Sequence, residues 1–165
     1  MKFCVENDLS IFEFHDSYFS LVHFDGRDLI IAASMVNIHK NTFQNPTNYD
    51  MEIASAHIFF HNFNSAIYEP GREWKRGNDG KPYPVGQQIT FRENDAMDRI
   101  LDELRNGIAV YHFVRKEESG YSIGGCGIEP YFEIEFNFDS VSVSWDEFKN
   151  KAWYELRQQR QSANP

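Results

Sequence analysis

Residues 131–147, YFEIEFNFDSVSVSWDE, alternate between apolar and polar side chains with almost no error. Phe132, Ile134, Phe136 and Phe138 fall on one side and Glu133, Glu135 and Asn137 on the other. After Asp139 the period resumes, with Val141, Val143 and Trp145 against Ser140, Ser142 and Ser144. A period of two belongs to a β-strand with one dry face and one wet face. Two such runs about a short polar break predict an antiparallel hairpin. Ser144, Trp145, Asp146 and Glu147 then have the S-x-x-E spacing of a capping box. They predict a helix over 146–159 with Phe148, Ala152, Trp153 and Leu156 as its apolar stripe.

The rest of the chain reads in the same terms. Residues 11–24 are rich in strand formers and are interrupted by the polar triplet His15-Asp16-Ser17, which predicts one bent strand or two short ones. Asp25-Gly26 between apolar runs is a hairpin turn, because glycine takes positive φ without cost. Its partner, residues 29–39, is nearly continuous in apolar character and reads as a central strand. Residues 40–50 are a loop. Residues 51–63 read as a strand with His57, Phe59 and His61 on one face and Ala56, Ile58 and Phe60 on the other. Residues 64–85 hold three prolines and three glycines and read as an irregular insertion. A short strand is expected at 88–91, further strands at 108–114 and 121–127, and a charged turn at 116–120. Met97, Ile100, Leu101 and Leu104 predict a helix over 94–106, with Asn94 or Asp95 as cap and Gly107 as its stop. The sum is a single α+β domain over 1–165. It is mainly antiparallel sheet, curved or sandwich-like, with about seven or eight strands, two helices and a frayed tail at 161–165.

Charge and cysteine content narrow the function. A net charge of −9 argues against a surface that tracks nucleic-acid backbone. The two cysteines, Cys4 and Cys126, form no CxxC pattern and suit a reducing cytoplasm. No apolar run is long enough for a membrane span, and the first residues do not read as a secretory signal.

Several residues are candidates for chemistry. His57 and His61 in HIFFH lack the glutamate of a zinc-protease motif and any third ligand at a recognisable spacing, so they are weak metal candidates. His15, Asp16 and Ser17 contain the residue types of a serine triad, but sequence neighbours on a strand point to opposite faces. Glu133 and Glu135, about 7 Å apart along a strand, read as a solvated antiparallel face before they read as a carboxylate pair. Gly124-Gly125-Cys126-Gly127 has neither nucleotide-binding register, and no cofactor is implied. Arg72, Lys75, Arg76 and Lys81 form a basic cluster on an acidic protein. Trp74 stands among them as a possible anchor for a protein contact.

Phe14-His15-Asp16-Ser17, followed by an aromatic strand, Asp25-Gly26 and Leu29-Ile30-Ile31, resembles the opening of a group of bacterial "FHDS"-type domains. Phe132–Phe138, Val141, Val143 and Trp145-Asp146 are similar to their usual ending. Some of these domains are similar to immunity proteins of polymorphic toxin systems. The resemblance implies a β-rich protein-binding domain and brings no catalytic residues. It sets the expectation of a non-enzymatic inhibitor of a partner encoded by a neighbouring gene, binding through Arg72, Trp74, Lys75, Arg76, His15 and Asp16. The competing expectation is a hydrolase or a small-ligand or metal-binding protein that gathers His15, Asp16, His57 and His61.

Overall fold

A computed structural model describes residues 1–116 and 120–162. The expected turn at 116–120 and tail at 161–165 fall largely outside them. The elements in order are β1 (Phe3–Glu6), β2 (Phe12–Glu13), β3 (Tyr18–Phe24), β4 (Leu29–Ser34), β5 (Asn37–Ile38), β6 (Met51–Ile53), β7 (Ala56–His61) and β8 (Asn64–Pro70). There follow β9 (Glu73–Arg76), β10 (Pro82–Val85), β11 (Phe91–Arg92), α1 (Glu93–Asn106), β12 (Ile108–Arg115) and β13 (Tyr121–Cys126). The chain closes with β14 (Phe132–Asn137), β15 (Ser140–Trp145), β16 (Phe148–Lys151) and α2 (Trp153–Ser162). The α+β class and the antiparallel pairing agree with the sequence, but the described residues form sixteen strands, not seven or eight.

The strand count differs because apolar runs that look continuous are cut by single residues. Asp16, at φ 66°, separates β2 from β3, and Met35, at φ 57°, separates β4 from β5. The 51–63 run is likewise divided, and its two pieces enter different sheets. Strands of two to four residues are shorter than an alternating pattern can reveal.

Ten strands form one sheet in the order β1-β15-β7-β4-β3-β12-β13-β14-β8-β11. A second sheet, β16-β6-β5-β2, has four, and β9 pairs with β10 as a separate ribbon. The large sheet curls over a shared core. Phe60 of β7 meets Phe136 of β14 edge-on at 5.7 Å, and Phe14 meets Phe113 at 4.8 Å. Leu29, Phe60, Ile100, Leu104, Ile134 and Phe136 enclose a residual void of about 20 Å3, so both halves of the sheet and α1 seal the same interior.

The 131–147 stretch is not a hairpin. Its two strands alternate as expected, with Phe132, Ile134, Phe136, Val141, Val143 and Trp145 buried. However, β14 pairs with β13 and β8, whereas β15 pairs with β1 and β7. The chain arches across the core at Asp139, whose N–H donates to the His61 carbonyl at 2.9 Å. Alternation specifies which face is dry; it does not specify the neighbour.

The capping box is also overturned. Ser144 is a ladder residue of β15, opposite His57 and Cys4, and Trp145 is fully buried against Phe3 and Phe12. Burial of that indole holds the backbone extended, and β16 follows before α2 begins at Trp153. Only Ala152 of the expected stripe is buried; Trp153 and Leu156 are exposed. Helix α1 matches its prediction more closely. It buries Ala96, Ile100, Leu101 and Leu104 and stops at Gly107, at φ 86°. Its N-cap is Arg92, without a side-chain cap bond, in place of Asn94 or Asp95.

The 64–85 segment is only partly an insertion. Asn64–Pro70 is β8, a sheet strand with Ala66 and Tyr68 buried. No helix of the described residues is long and apolar enough to cross a membrane.

Candidate functional site

The basic cluster lies on the β9–β10 ribbon. Trp74 pairs with Pro84, Arg76 with Pro82, Lys75 with Tyr83, and Glu73 with Val85. Directly opposed residues share a face. One face therefore carries Trp74 and Arg76 backed by two prolines, and the other carries Lys75 and Tyr83 with Glu73. All four residues of β9 are exposed, Trp74 at 60%. Lys75 meets Glu73 at 3.6 Å, but Arg72 and Arg76 have no carboxylate partner among the described residues. The tip is tied by Gly77 N–H to Lys81 O at 2.8 Å and Lys81 N–H to Asp79 Oδ1 at 3.0 Å. At the base, Gly71 N–H donates to Tyr131 O at 2.6 Å, an approach that leaves no room for a Cβ.

The four residues of the hydrolase expectation are not brought together. His15 Nδ1 lies 2.7 Å from the Tyr111 carbonyl, and its Nε2 lies 3.8 Å from Asp16 Oδ1. His61 Nδ1 lies 3.4 Å from Asp28 Oδ2, with its ring 4.2 Å from Phe59. The His57 side chain makes no hydrogen bond or ion pair among the described residues. Four steps along an extended strand separate His57 from His61 by about 13 Å, too far for one ion. No group of three or more potential metal ligands converges among the described residues.

A network that the sequence did not reveal crosses the outer face of β12, β13 and β14. A register shift between Val110 and His112 marks a β-bulge, with Val110 buried and His112 turned toward the outer face. His112 Nε2 lies 3.0 Å from Glu133 Oε1; the same carboxylate accepts from Ser122 Oγ and, at 3.2 Å, from Tyr131 OH. Burial, then the Glu133 carboxylate, pushes the Tyr131 hydroxyl above its ordinary range. The Tyr111 ring stacks on Tyr131 at 6.2 Å, and a hydrogen bond with the Cys126 thiol raises its hydroxyl likewise. Glu135 pairs with Lys116 at 2.8 Å and holds that ammonium more firmly protonated. The face expected to be merely wet is thus a clamp across three strands. Its signal in the sequence, two consecutive outward residues, breaks the alternation that reveals strands.

A cleft of about 540 Å3 opens between α2 and the small sheet. Asn37 and Glu52 are cross-strand partners in its wall, Glu52 bonded to Lys149 at 2.9 Å. Asp16, Met35, Trp153 and Arg157 complete the lining. Asn37 is 1% exposed, yet its Oδ1 has no hydrogen-bond partner among the described residues. The Arg157 guanidinium stands 5.2 Å from the Trp153 ring.

Helix α2 is held above this cleft by polar contacts. Asp50 accepts from Lys40 N–H at 2.9 Å and Tyr154 OH at 2.8 Å, with His39 Nδ1 at 3.1 Å. Burial works to raise the Asp50 carboxyl, but these donors outweigh it and hold it below the ordinary carboxylate range.

No family model, curated protein or solved structure matches the chain.

Proposed function

We propose that the chain is a non-enzymatic protein-binding domain that grips its partner through the β9–β10 ribbon, in the manner of an immunity-type inhibitor of a toxin. The observation that carries this reading is the exposure of Trp74 beside Arg72 and Arg76, which have no carboxylate partner among the described residues, on a ribbon outside both sheets. Tryptophan and arginine dominate the energetic centres of protein interfaces, because each buries a large area and arginine adds directional hydrogen bonds. The prolines opposite Trp74 and Arg76 limit the backbone freedom lost on docking. The resemblance of Phe14–Ser17 and Asp25–Ile31 to immunity-associated domains supplies the class of partner. A hydrolase or metal site built from His15, Asp16, His57 and His61 finds no support in their placement.

The test is capture of the neighbouring gene's product by the full chain, with relief of that product's toxicity as a second readout. Trp74→Ala and Arg76→Ala should weaken capture without altering the fold. Failure to bind any neighbour-encoded protein sinks the inhibitor reading, and full binding by both variants sinks the ribbon.

A further inference from the structure

We propose that the basic ribbon of one copy docks in the groove between α1, the β3–β4 turn and the start of β8 of a second copy, so that self-association covers the ribbon when no partner is bound. The masking rests on the ribbon being the partner-binding element; the self-association does not.

The groove encloses about 680 Å3. Its apolar lining is Phe24, Phe63, Met97 and Leu101, of which Phe63 and Leu101 are buried. Its charged lining is Glu93 and Asp98, both exposed and neither with a cationic partner among the described residues. Arg27, beside Gly26 at one end, lies 3.9 Å from Asp28. The complement of such a groove is an apolar group that carries positive charge with it.

The chain itself holds a segment of that kind. Residues 72–85 carry four cations against two carboxylates, on a protein of net charge −9. Trp74 is 60% exposed, and the guanidiniums of Arg72 and Arg76 beside it have no carboxylate partner among the described residues. An indole between two arginines supplies the apolar group for the groove and sets both charges against its acidic side. The ribbon of the same copy does not occupy the groove. Strand β8 begins at the groove with Asn64 and ends at Pro70, where the ribbon leaves, about 20 Å away by the strand rise. A second copy supplies the ribbon instead. The two surfaces differ, so the contact is heterologous and builds rings or open chains, not a two-fold dimer. The charge of −9 on each copy opposes association and the ribbon is a small element, which places the contact in the weak, transient class.

Sedimentation velocity of the full chain alone tests the contact. Its average mass should rise between about 10 μM and 1 mM, the range of weak association. Trp74→Ala and Asp98→Arg, both at exposed positions, should each weaken association by about tenfold or more, with the circular dichroism spectrum retained. Asp98→Arg brings the net charge nearer zero, so relief of general repulsion would act in the opposite direction. Mixed together, the two variants should form a one-to-one heterodimer and stop there, because Trp74→Ala keeps the groove and Asp98→Arg keeps the ribbon. The proposal is overturned if the chain stays monomeric up to about 1 mM, which leaves the groove to another occupant. It is also overturned if either variant associates like the parent, or if the mixture stays monomeric. No neighbouring gene product enters this experiment. A strict monomer whose ribbon still captures that product overturns self-association alone, and an assembling chain that captures nothing overturns the inhibitor reading alone.

Discussion

His112 and Glu133, on strands β12 and β14, meet over Gly124 of the strand between them, with Nε2 3.0 Å from Oε1. The absence of a side chain at Gly124 permits this contact: a Cβ there would collide with the His112 ring and come 3.0 Å from Glu133 Oε2. Gly124→Ala should therefore break the clamp, with a loss of about 1–3 kcal/mol in chemical denaturation. An unchanged midpoint together with an unshifted His112 NMR signal would show that the clamp contributes nothing.

Asp50 should make the docking of α2 acid-sensitive. Its carboxyl is held below the ordinary value in the folded chain, so the folded state binds its proton more weakly than the unfolded chain does. The resulting stability is present in full above the ordinary carboxylate range and is lost as pH falls through the lower, folded value. Asp50→Asn should flatten the acid limb of a stability–pH curve below about pH 4. An identical limb in the variant would remove Asp50 as its source.

Glu103 closes the turn that follows β13. It is 2% exposed and accepts from Tyr68 OH at 2.8 Å, Ile128 N–H at 2.7 Å and Glu129 N–H at 3.1 Å. Glu103→Ala leaves these donors without their acceptor and should cost about 3 kcal/mol. Amide exchange at Ile128 and Glu129 should quicken well before the rest of the sheet opens. Unaltered exchange at both amides would contradict this role.

Trp74→Ala should leave thermal stability within about 0.5 kcal/mol of the parent, because the residue supports nothing in the core. A large drop in Tm would mean that the ribbon packs as a structural element and is not a free arm.

The strand-forming character of the chain, the dry and wet faces of β14 and β15, and the extent of α1 were legible because each rests on local periodicity. Phe132, Ile134, Val141 and Val143 declare their faces within a few residues. The failures have one origin. The partner of β15, the break at Asp16, and the extended Phe148–Lys151 where a capped helix was expected all depend on groups distant in sequence. Arg72, Trp74, Lys75 and Arg76 stand out in the sequence as a basic and aromatic cluster on an acidic chain, and the structure adds that β9 is exposed. His112 does not stand out, because a bulge turned it outward.

The alternation in 131–147 determined by itself that two strands with one buried face exist there. Side-chain period is a property of the extended backbone and needs no partner. Only the tertiary structure decided that these strands arch apart across the core, that Glu133 is the hub of a clamp, and that Asn37 Oδ1 is buried without a partner among the described residues. Pairing, burial of a polar atom and the shape of a cleft are set by which surfaces meet, and the contacts between residues distant in sequence that bring them together are written in no local pattern.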